Sequence, residues 1–361
     1  MTMKNTFNRW VLAGVLVSTC CVPTLSAQHF VQTNLTSDTG IGGTKKDPNL
    51  VNPWGMSRSS GSPWWISDNG SNLSTLYGSD GTAVSLVVSV PGGPSGTVFN
   101  GTADFQLNGK PAVFVFCTEG GTILAWNGGT AATVVASKNG AVYKGLALAN
   151  VNGVNYLYAT DFHYGKVDVL DTNFHYVTSM ATLHDRDSDD RAFAMEDLWH
   201  KGFAPFNIQN IGGTLYVTYA KQDGAKHDDV PGAGLGFVAA FTPTGRLLQT
   251  LEHGNWLNAP WALAEAPGDF GPFSHTLMVG NFGSGQIAAY DTVSGRFLGL
   301  FEDATGSPIS IDGLWALSFG NNGKAGSATA LYFTAGPNGE SNGLFGTLTP
   351  TAADLAQGNG N

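Results

Sequence analysis

Three short stretches of the sequence share one pattern: residues 52–56 read NPWGM, residues 259–263 read APWAL and residues 313–317 read GLWAL. Each places a tryptophan before a small residue and an apolar one. Weaker versions align between them at intervals of roughly 40 to 60 residues, the spacing of a repeated supersecondary unit. The six aligned motifs are Trp54-Gly55-Met56, Phe105-Gln106-Leu107, Leu146-Ala147-Leu148, Phe206-Asn207-Ile208, Trp261-Ala262-Leu263 and Trp315-Ala316-Leu317.

Each motif opens a unit of short apolar runs separated by Gly- or Asn-rich turns, which is the pattern of antiparallel strands. Five units contain four such runs, and the sixth ends near Leu348 after three. We expect residues 30–35, FVQTNL, to supply the missing strand by pairing near Leu344–Leu348. Six four-stranded units closed in this way predict an all-β, six-bladed β-propeller, with the motif as the innermost strand of each blade.

The ends of the chain have a different composition. Residues 1–27 combine Lys4 and Arg9 with an apolar run and a small-residue exit, the features of a secretory signal peptide. The pattern predicts a propeller over residues 28–349 and a flexible tail over residues 350–361. It also predicts export, to the periplasm or the extracellular space, with a lipid anchor at Cys20 left open as an alternative.

The charge of the chain limits its partners. Removal of residues 1–27 takes away two basic groups and no acid, so the formal net charge falls from −10 to −12. Such a surface repels phosphate backbones and anionic lipid, which argues against nucleic acid and membrane partners. We expect a monomer that binds a small molecule, a glycan or a protein at one face of the propeller. Cys117 would be the remaining cysteine, so no intramolecular disulfide is expected.

Four blocks of sequence resemble an uncharacterised family of exported bacterial propeller proteins. They are NPWGMSRSSGSPWWISDNGS at 52–71, GFAPFNIQNIGGTLYVTYAKQDGAKHDDV at 202–230, LMVGNFGSGQIAAYD at 277–291 and GLWALSFGNNGKAGSATALYFTAGPNGESNGLFGTL at 313–348. This resemblance implies export and the fold, and it brings no activity or catalytic residue. More distantly, the blade pattern is similar to NHL-type propellers and to gluconolactonase-like hydrolases, which hold a divalent cation with carboxylate and amide oxygens near the channel.

Polar residues follow the second run in four units. In an antiparallel blade this position shares a rim with the entry to the innermost strand, so we expect these side chains to meet at one solvent-filled mouth of the central channel. They are Asp68, Glu119, Asp161 and Asn281. Hard oxygen ligands of this kind suit Ca²⁺ or another divalent cation as a cofactor. The alternative is that they bond neighbouring backbone amides in turns.

The fourth unit contains an insertion, Lys221–Gly236, where the other units have short turns. Long loops of this kind are often functional. His227, Asp228 and Asp229 form an imidazole–carboxylate cluster suited to ligand binding, metal binding or proton transfer, and His163 of the third unit is expected on the same rim. A solvated polar loop is the alternative.

The connector into the fourth unit is rich in acid. Asp185, Asp187, Asp189 and Glu196 have the spacing of positions one, three, five and twelve of an EF-hand calcium loop. Position six is Asp190 where the loop needs glycine, and no convincing helices flank it. An acidic, solvated loop is the alternative.

Three functions are consistent with these features. The leading hypothesis is a propeller that binds a ligand or partner at its channel mouth without turnover, because no nucleophile–base arrangement is apparent and no HExxH motif occurs. The alternatives are a metal-dependent hydrolase of lactonase-like type and a non-catalytic extracellular interaction scaffold. The sequence leaves open whether the protein is an enzyme.

Overall fold

The computed structural model describes residues 28–177, 193 and 195–358. The signal peptide expected at 1–27 and the first three acids of the expected calcium loop, Asp185, Asp187 and Asp189, lie outside the described residues.

The described chain is almost entirely β-structure. In chain order the strands are β1 (Phe30–Ser37), β2 (Lys45–Lys46), β3 (Pro53–Ser57), β4 (Trp64–Asp68), β5 (Leu73–Tyr77), β6 (Val88–Ser89), β7 (Pro94–Phe99), β8 (Gln106–Leu107), β9 (Lys110–Pro111), β10 (Phe114–Thr118), β11 (Thr122–Trp126), β12 (Thr133–Ser137), β13 (Tyr143–Val151), β14 (Val154–Asp161), β15 (Lys166–Leu170), β16 (Phe203–Ile211), β17 (Thr214–Lys221), β18 (Gly236–Phe241), β19 (Leu247–Thr250), β20 (Pro260–Glu265), β21 (Thr276–Asn281), β22 (Ile287–Asp291), β23 (Phe297–Leu300), β24 (Leu314–Phe319), β25 (Leu331–Ala335) and β26 (Leu344–Pro350). The α-helices are α1 (Glu196–Trp199) and α2 (Ala352–Gly358), and short 3₁₀ turns occupy Ile41–Gly43, Asn69–Ser71 and Gly271–Phe273. None of the described helices is long and apolar enough to cross a membrane.

The strands form six small sheets, or blades, which are antiparallel except for the β1–β2 pair, and β8 and β9 form a separate hairpin. Blade 1 is β3-β4-β5-β6, blade 2 is β7-β10-β11-β12, blade 3 is β13-β14-β15, blade 4 is β16 to β19, blade 5 is β20 to β23, and blade 6 is β24-β25-β26-β1-β2. The innermost strands β3, β7, β13, β16, β20 and β24 contact one another in turn, and β24 returns to β3. The prediction of a six-bladed β-propeller is therefore confirmed.

The predicted ring closure is also confirmed. Strand β1 pairs with β26 in an antiparallel register that runs from Phe30 opposite Pro350 to Ser37 opposite Leu344. Closure removes the exposed edges that an open sheet would present to other chains. Beyond β26, where the sequence predicts a flexible tail, the structure shows α2. Its Asp354 is buried and accepts a hydrogen bond from the His29 amide at 3.0 Å.

Tight hairpins in blades 3 and 4 show how the local sequence sets the strand register. Val151 pairs with Val154 across Asn152-Gly153, and Ile211 pairs with Thr214 across Gly212-Gly213. All four turn residues have positive φ. Two-residue turns with positive φ at both positions match the twist of paired strands, and Asn-Gly and Gly-Gly are the sequences that favour them.

Every innermost strand contains a β-bulge near its start, after one pair with the second strand in five blades and after three pairs in β16. A bulge adds one residue and re-aims a side chain. We call these the bulge residues: Trp54, Ser95, Lys144, Phe206, Trp261 and Trp315. The residue after each is small or Asn, because the blades approach closely here. A Cβ on Gly55 would lie 2.4 Å from the Ser95 carbonyl oxygen, and one on Gly96 would lie 2.5 Å from the Leu146 amide nitrogen.

Two of the six motif alignments made from the sequence are wrong. In blade 2 the innermost strand is β7, while Gln106–Leu107 pairs with β9 in a separate hairpin. In blade 3 the motif begins two residues earlier than expected, at Lys144. The alignment sought a large apolar residue before a small one, and Ser95 and Lys144 do not fit that description. The fourth run expected in blade 3 begins at Tyr176, which bridges to Leu170, and its residues 178–180 lie outside the described part of the chain.

Candidate functional site at the channel mouth

Aromatic bulge residues close the propeller axis. Trp315 stacks on Trp54 at a centroid distance of 3.7 Å and on Phe282 at 4.0 Å, and Trp261 meets it edge-on at 5.9 Å. We call these four residues the aromatic plug. The cavity that remains along the innermost strands has a volume of about 30 Å³, the share of one water molecule in the liquid. The two ends of the axis are therefore separate surfaces.

Lys144 occupies in blade 3 the bulge position that tryptophan holds in blades 1, 5 and 6. Its side chain is 1% exposed, and its Nζ lies 2.5 Å from Glu119 Oε1 and 3.2 Å from Asp228 Oδ1. The ammonium also lies 4.8 Å from the centroid of the Trp54 ring. A buried ammonium needs charge compensation, and here two carboxylates and an aromatic face supply it.

Both oxygens of Glu119 are engaged, because Asn69 Nδ2 donates to Oε2 at 2.7 Å while Lys144 holds Oε1. Asp228 also contacts His227 Nδ1, at 3.0 Å. Burial raises the pKa of Asp228, but the Lys144 ammonium and His227 outweigh it and bring the net pKa below the usual value.

Two further carboxyl groups belong to the same electrostatic group. Burial raises the pKa of Asp229 to about 6, against the opposing effect of Lys144. Burial likewise raises the pKa of Glu340 to about 7; Lys144 opposes the shift, while Glu119, Asp228 and Asp229 add to it. Asp229 Oδ2 is buried and has no hydrogen-bond partner among the described residues. We call the set Asn69, Glu119, Lys144, Asp228, Asp229 and Glu340 the mouth site.

The blade 4 insertion folds back to bring its acids to the mouth. Asp223 Oδ1 accepts hydrogen bonds from the amides of His227 and Asp228, at 2.9 and 3.4 Å. Gln222 bridges to Asp229 across the loop, and its Nε2 donates to the Phe162 carbonyl of blade 3 at 2.5 Å. The loop is thus fixed at its base to the neighbouring blade.

Three of the four residues predicted for the channel mouth are the last residues of second strands, and their side chains bond nearby backbone amides. Asp68 Oδ2 accepts from the Thr75 amide at 2.9 Å, Asp161 Oδ1 from the Tyr164 amide at 3.2 Å, and Asn281 Oδ1 from the Asn258 amide at 2.8 Å. All three side chains are fully buried. Burial raises the pKa of Asp161 to about 6 and that of Asp68 well above its usual value.

Glu119 differs from these three by one position. Asp68, Asp161 and Asn281 each pair with the first residue of their innermost strand, whereas in blade 2 that pair is made by Thr118. One step along a strand or its exit turns a side chain to the other face. Among the described residues, the acids and histidines whose ligand atoms lie within 4.8 Å of one another are Glu119, His227 and Asp228. Divalent cation binding stays a prediction, with this group in place of the four residues expected.

His163 lies beside the insertion without joining that group. Its carbonyl accepts from Gln222 Nε2 at 3.4 Å, and its ring meets Tyr164 edge-on at 4.9 Å. Glu196 is the first residue of α1, and the other three acids of the expected calcium loop fall outside the described residues.

Comparisons with known proteins show the family. Uncharacterized protein R648 of Acanthamoeba polyphaga mimivirus is 30% identical over 320 residues, which cover 84% of this chain and 76% of that protein. Uncharacterized protein L690 of the same virus is 28% identical over 322 residues, or 84% of this chain and 81% of that protein. This chain belongs to their family. No protein-family model matches the sequence.

Solved structures show the same architecture at low identity. A glucose dehydrogenase matches with a TM-score of 0.54 and 12% identity, over 89% of this chain and 99% of that one. A streptogramin B lyase matches with a TM-score of 0.51 and 13% identity, over 90% of this chain and 98% of that one. At these identities the likeness shows the β-propeller fold alone.

Sequence reasoning missed three members of the mouth site. The sequence does contain a signal for Lys144. When the blade 3 motif is aligned as Lys144-Gly145-Leu146, a lysine stands at the position that tryptophan occupies in blades 1, 5 and 6. Asn69 was missed because Asp68, one residue earlier in the chain, was predicted to face the mouth. Glu340 lies in the turn PNGES of blade 6 and has no distinguishing sequence pattern, although its φ of 66° is unusual for a residue other than glycine.

Proposed function

We propose that this protein binds a small cationic ligand of the amine class at the mouth site. The observation that carries the proposal is the unpartnered, buried Oδ2 of Asp229 beside a second carboxyl group, Glu340, whose pKa is about 7. Buried polar atoms are normally hydrogen-bonded. An ammonium group would donate to both acids.

The charge of the mouth supports a cation rather than an anion. Four carboxyl groups, Glu119, Asp228, Asp229 and Glu340, surround the ammonium of Lys144. The mutual repulsion of the acids is part of why the pKa of Glu340 is raised. A bound cation would relieve that repulsion and draw these pKa values down.

Two aromatic rings next to the mouth site already contact a cation. The Trp54 and Phe162 rings already lie 4.8 and 5.8 Å from the Lys144 ammonium. Aromatic faces stabilise alkylammonium groups, including quaternary ones, that cannot donate hydrogen bonds. Both rings are buried and the cation that contacts them is Lys144 itself, so the carboxylates are the groups accessible to a ligand cation.

Binding without turnover fits the site better than covalent catalysis. The Lys144 amine is the candidate nucleophile of the mouth site, and it is paired with Glu119 and Asp228. Lysine nucleophiles are activated by an apolar pocket or a neighbouring cation, whereas the Lys144 side chain is held between two carboxylates.

The test is thermal unfolding and calorimetric titration with putrescine and with choline, using acetate as the anionic control. We expect both cations to raise the melting temperature by mass action on the folded state, and acetate to leave it unchanged. Asp229→Asn and Glu340→Gln should weaken binding, whereas Glu265→Gln, an exposed acid at the end of β20, should not. Binding should also weaken as the pH falls below about 6 to 7, because protonation neutralises Asp229 and Glu340.

Two results would contradict the proposal. One is that neither cation binds the folded protein over the millimolar range, roughly the limit of useful affinity for a small ligand. The other is that Asp229→Asn and Glu340→Gln bind as well as the unchanged protein.

A second candidate function is divalent cation binding, which keeps a metal-dependent hydrolase under consideration. It is favoured by the proximity of Glu119, His227 and Asp228, whose ligand atoms lie within 4.8 Å of one another. Lys144 competes with it, because its ammonium already contacts both carboxylates. Titration with Zn²⁺ and Ca²⁺ decides: one stoichiometric ion that is lost in His227→Ala would support the metal site, and no stabilisation by either ion would reject it.

Export is a separate proposal. It is supported by the signal-like composition of residues 1–27 and by the resemblance to exported bacterial propellers. Expression in a bacterial host should yield mature protein beginning at Gln28, as determined by N-terminal sequencing of the secreted or periplasmic fraction. Recovery of the uncleaved chain in the cytoplasm would contradict it.

A further inference from the structure

A groove of about 640 Å³ lies between blades 1 and 2. Its walls come from the strand ends remote from the mouth site. Trp65 pairs with Ser57 and Leu76, three residues before Asp68 at the mouth end of β4. The β3–β4 and β5–β6 loops contribute the rest of the blade 1 side. The volume is within the range of small-molecule sites, about 300 to 1,000 Å³.

The wall of the groove is aromatic and apolar. Trp65 stacks on Phe114 at a centroid distance of 4.1 Å and meets Trp126 at 4.6 Å. Trp126 is half-buried, and Val84 opposite is 38% exposed. Trp65 and Phe114 are 4% and 2% exposed, so the accessible apolar surface comes mainly from Trp126 and Val84, and it favours flat or aliphatic ligand groups.

The rim carries one positive charge without a partner. Asp80 is paired with Lys45, whose Nζ lies 3.0 Å from Asp80 Oδ2, and it also accepts from Thr82. Lys324, which reaches the groove from blade 6, forms no ion pair within the described part of the chain. Its loop is fixed to blade 1, because the Ser79 amide donates to the Lys324 carbonyl at 3.0 Å.

The hydroxyl groups of the rim are already used in local turns. Ser62 Oγ donates to the Pro63 carbonyl at 2.8 Å, and Ser59 Oγ accepts from the amides of Gly61 and Ser62. Thr82 Oγ1 donates to Asp80. Recognition of a neutral sugar depends on free polar groups around an aromatic platform, so this rim is better suited to an apolar ligand with one anionic group.

We infer that the groove between blades 1 and 2 binds a small molecule with a flat, apolar body and one anionic group, of the aromatic carboxylate or sulfonate class. The body packs against Trp65, Phe114 and Trp126, and the anion pairs with Lys324. This inference does not rest on the function proposed for the mouth site. The aromatic plug separates the two surfaces.

The experiment compares two fluorescent probes that share one body. Anilinonaphthalene sulfonate carries an anion, and N-phenyl-1-naphthylamine has the same rings without it. We expect saturable binding of the sulfonate probe at one site per folded chain. Lys324→Gln should weaken that probe about two- to five-fold, the effect of an exposed ion pair, and leave the neutral probe unchanged. Trp126→Leu should weaken both probes about ten-fold through lost stacking.

Matched controls make the outcome specific. Lys46→Gln removes another exposed lysine, and Trp256→Leu removes another half-buried tryptophan, stacked on Phe297 at 4.0 Å. Neither should change either probe. Cooperative thermal unfolding of each variant shows that the probes report on folded protein. If Trp126→Leu fails to fold, the inference is still tested by the effect of Lys324→Gln on the sulfonate probe compared with the neutral probe.

Several results would overturn the inference. They are absence of saturable binding to the folded protein, equal effects of Lys324→Gln and Lys46→Gln, and displacement of the sulfonate probe by a neutral oligosaccharide, which would make the groove a glycan site. Displacement of the sulfonate probe by putrescine would show that the probe binds at the mouth site, and would reject the groove as the binding site.

Discussion

The two halves of the bulge ring differ in chemistry although they share one backbone geometry. In blades 1, 4, 5 and 6 the bulge residue is aromatic, and these side chains pack together across the axis. In blades 2 and 3 it is Ser95 and Lys144. The aromatic bulge residues stabilise the fold, whereas Lys144 supplies the ammonium around which the mouth site is built. Departure from the repeat, rather than the repeat itself, marks the candidate site.

The contribution of the aromatic bulge residues to stability is tested most directly at Trp315, which lies at their centre. Trp315 is 1% exposed and contacts Trp54, Trp261 and Phe282. We expect Trp315→Ala to lower the free energy of unfolding by about 3 to 5 kcal/mol, the usual cost of deleting a large buried aromatic. Denaturant titration measures it. A loss no larger than that of the half-buried control Trp256→Leu would show that the plug is not central to stability.

The polar half is tested by removing its cation. Lys144→Met leaves Glu119 partly buried without its ammonium partner, and we expect a loss of about 3 kcal/mol, as for one broken partner of a buried pair. The double variant with Glu119→Gln should recover part of that loss, because the Glu119 charge is then no longer left without a partner. A double-mutant cycle measures the coupling, and purely additive losses would contradict it.

The pH dependence of stability sharpens the contrast further. The pKa of Glu340 is raised to about 7 in the folded protein, above its unfolded value of about 4.3. The folded state therefore binds more protons between these values, and stability should fall as the pH rises through this window. After allowance for partial solvent screening we expect about 1 to 2 kcal/mol.

Glu340→Gln should reduce that slope by its own share, leaving the part that Asp229 and Asp161 contribute, while Glu265→Gln should retain all of it. Denaturant titrations at several pH values between about 4 and 8 provide the measurement. An unchanged slope in Glu340→Gln would assign the pH dependence to other groups.

The smallest effect on folding is expected from the insertion. Replacing Asp223–Gly234 by a short Gly/Asn turn removes few buried apolar groups, and loop length itself costs little stability. We expect the melting temperature to fall by only a few degrees, roughly the effect of 1 kcal/mol or less, while putrescine binding is lost with Asp228 and Asp229. A large drop would show that the insertion supports the blades.

The fold was predictable because its signals repeat. Six versions of one unit, together with a β-type run after residue 28, were enough to predict the blades and the closing strand. The mouth site was less predictable, because its residues break the repeat. Lys144 was missed where an aromatic was sought, and Glu119 was placed one residue out of register.

Three residues that end second strands show a further limit of prediction from the sequence. Asp68, Asp161 and Asn281 share a repeat position and look like a converging set in the sequence. In the structure each forms hydrogen bonds to backbone amides within its own blade. Equivalent positions in a repeat imply equivalent local roles, and here each side chain accepts a hydrogen bond from a backbone amide of its own blade.

Closure by β1 and β26 also has a consequence for how the chain folds. The last ring contact joins strands from opposite ends of the described chain, so its loop-closure entropy is paid only when all six blades are present, and ring completion is expected to be a late, slow step. It also brings the two ends together, since the Thr351 amide donates to the His29 carbonyl at 2.9 Å. The chain could therefore begin at a different blade while the cyclic order of the blades stays the same. A circular permutant joined between these ends and opened at the exposed turn around Val293 would keep every strand pair while making the β1–β26 contact a local one.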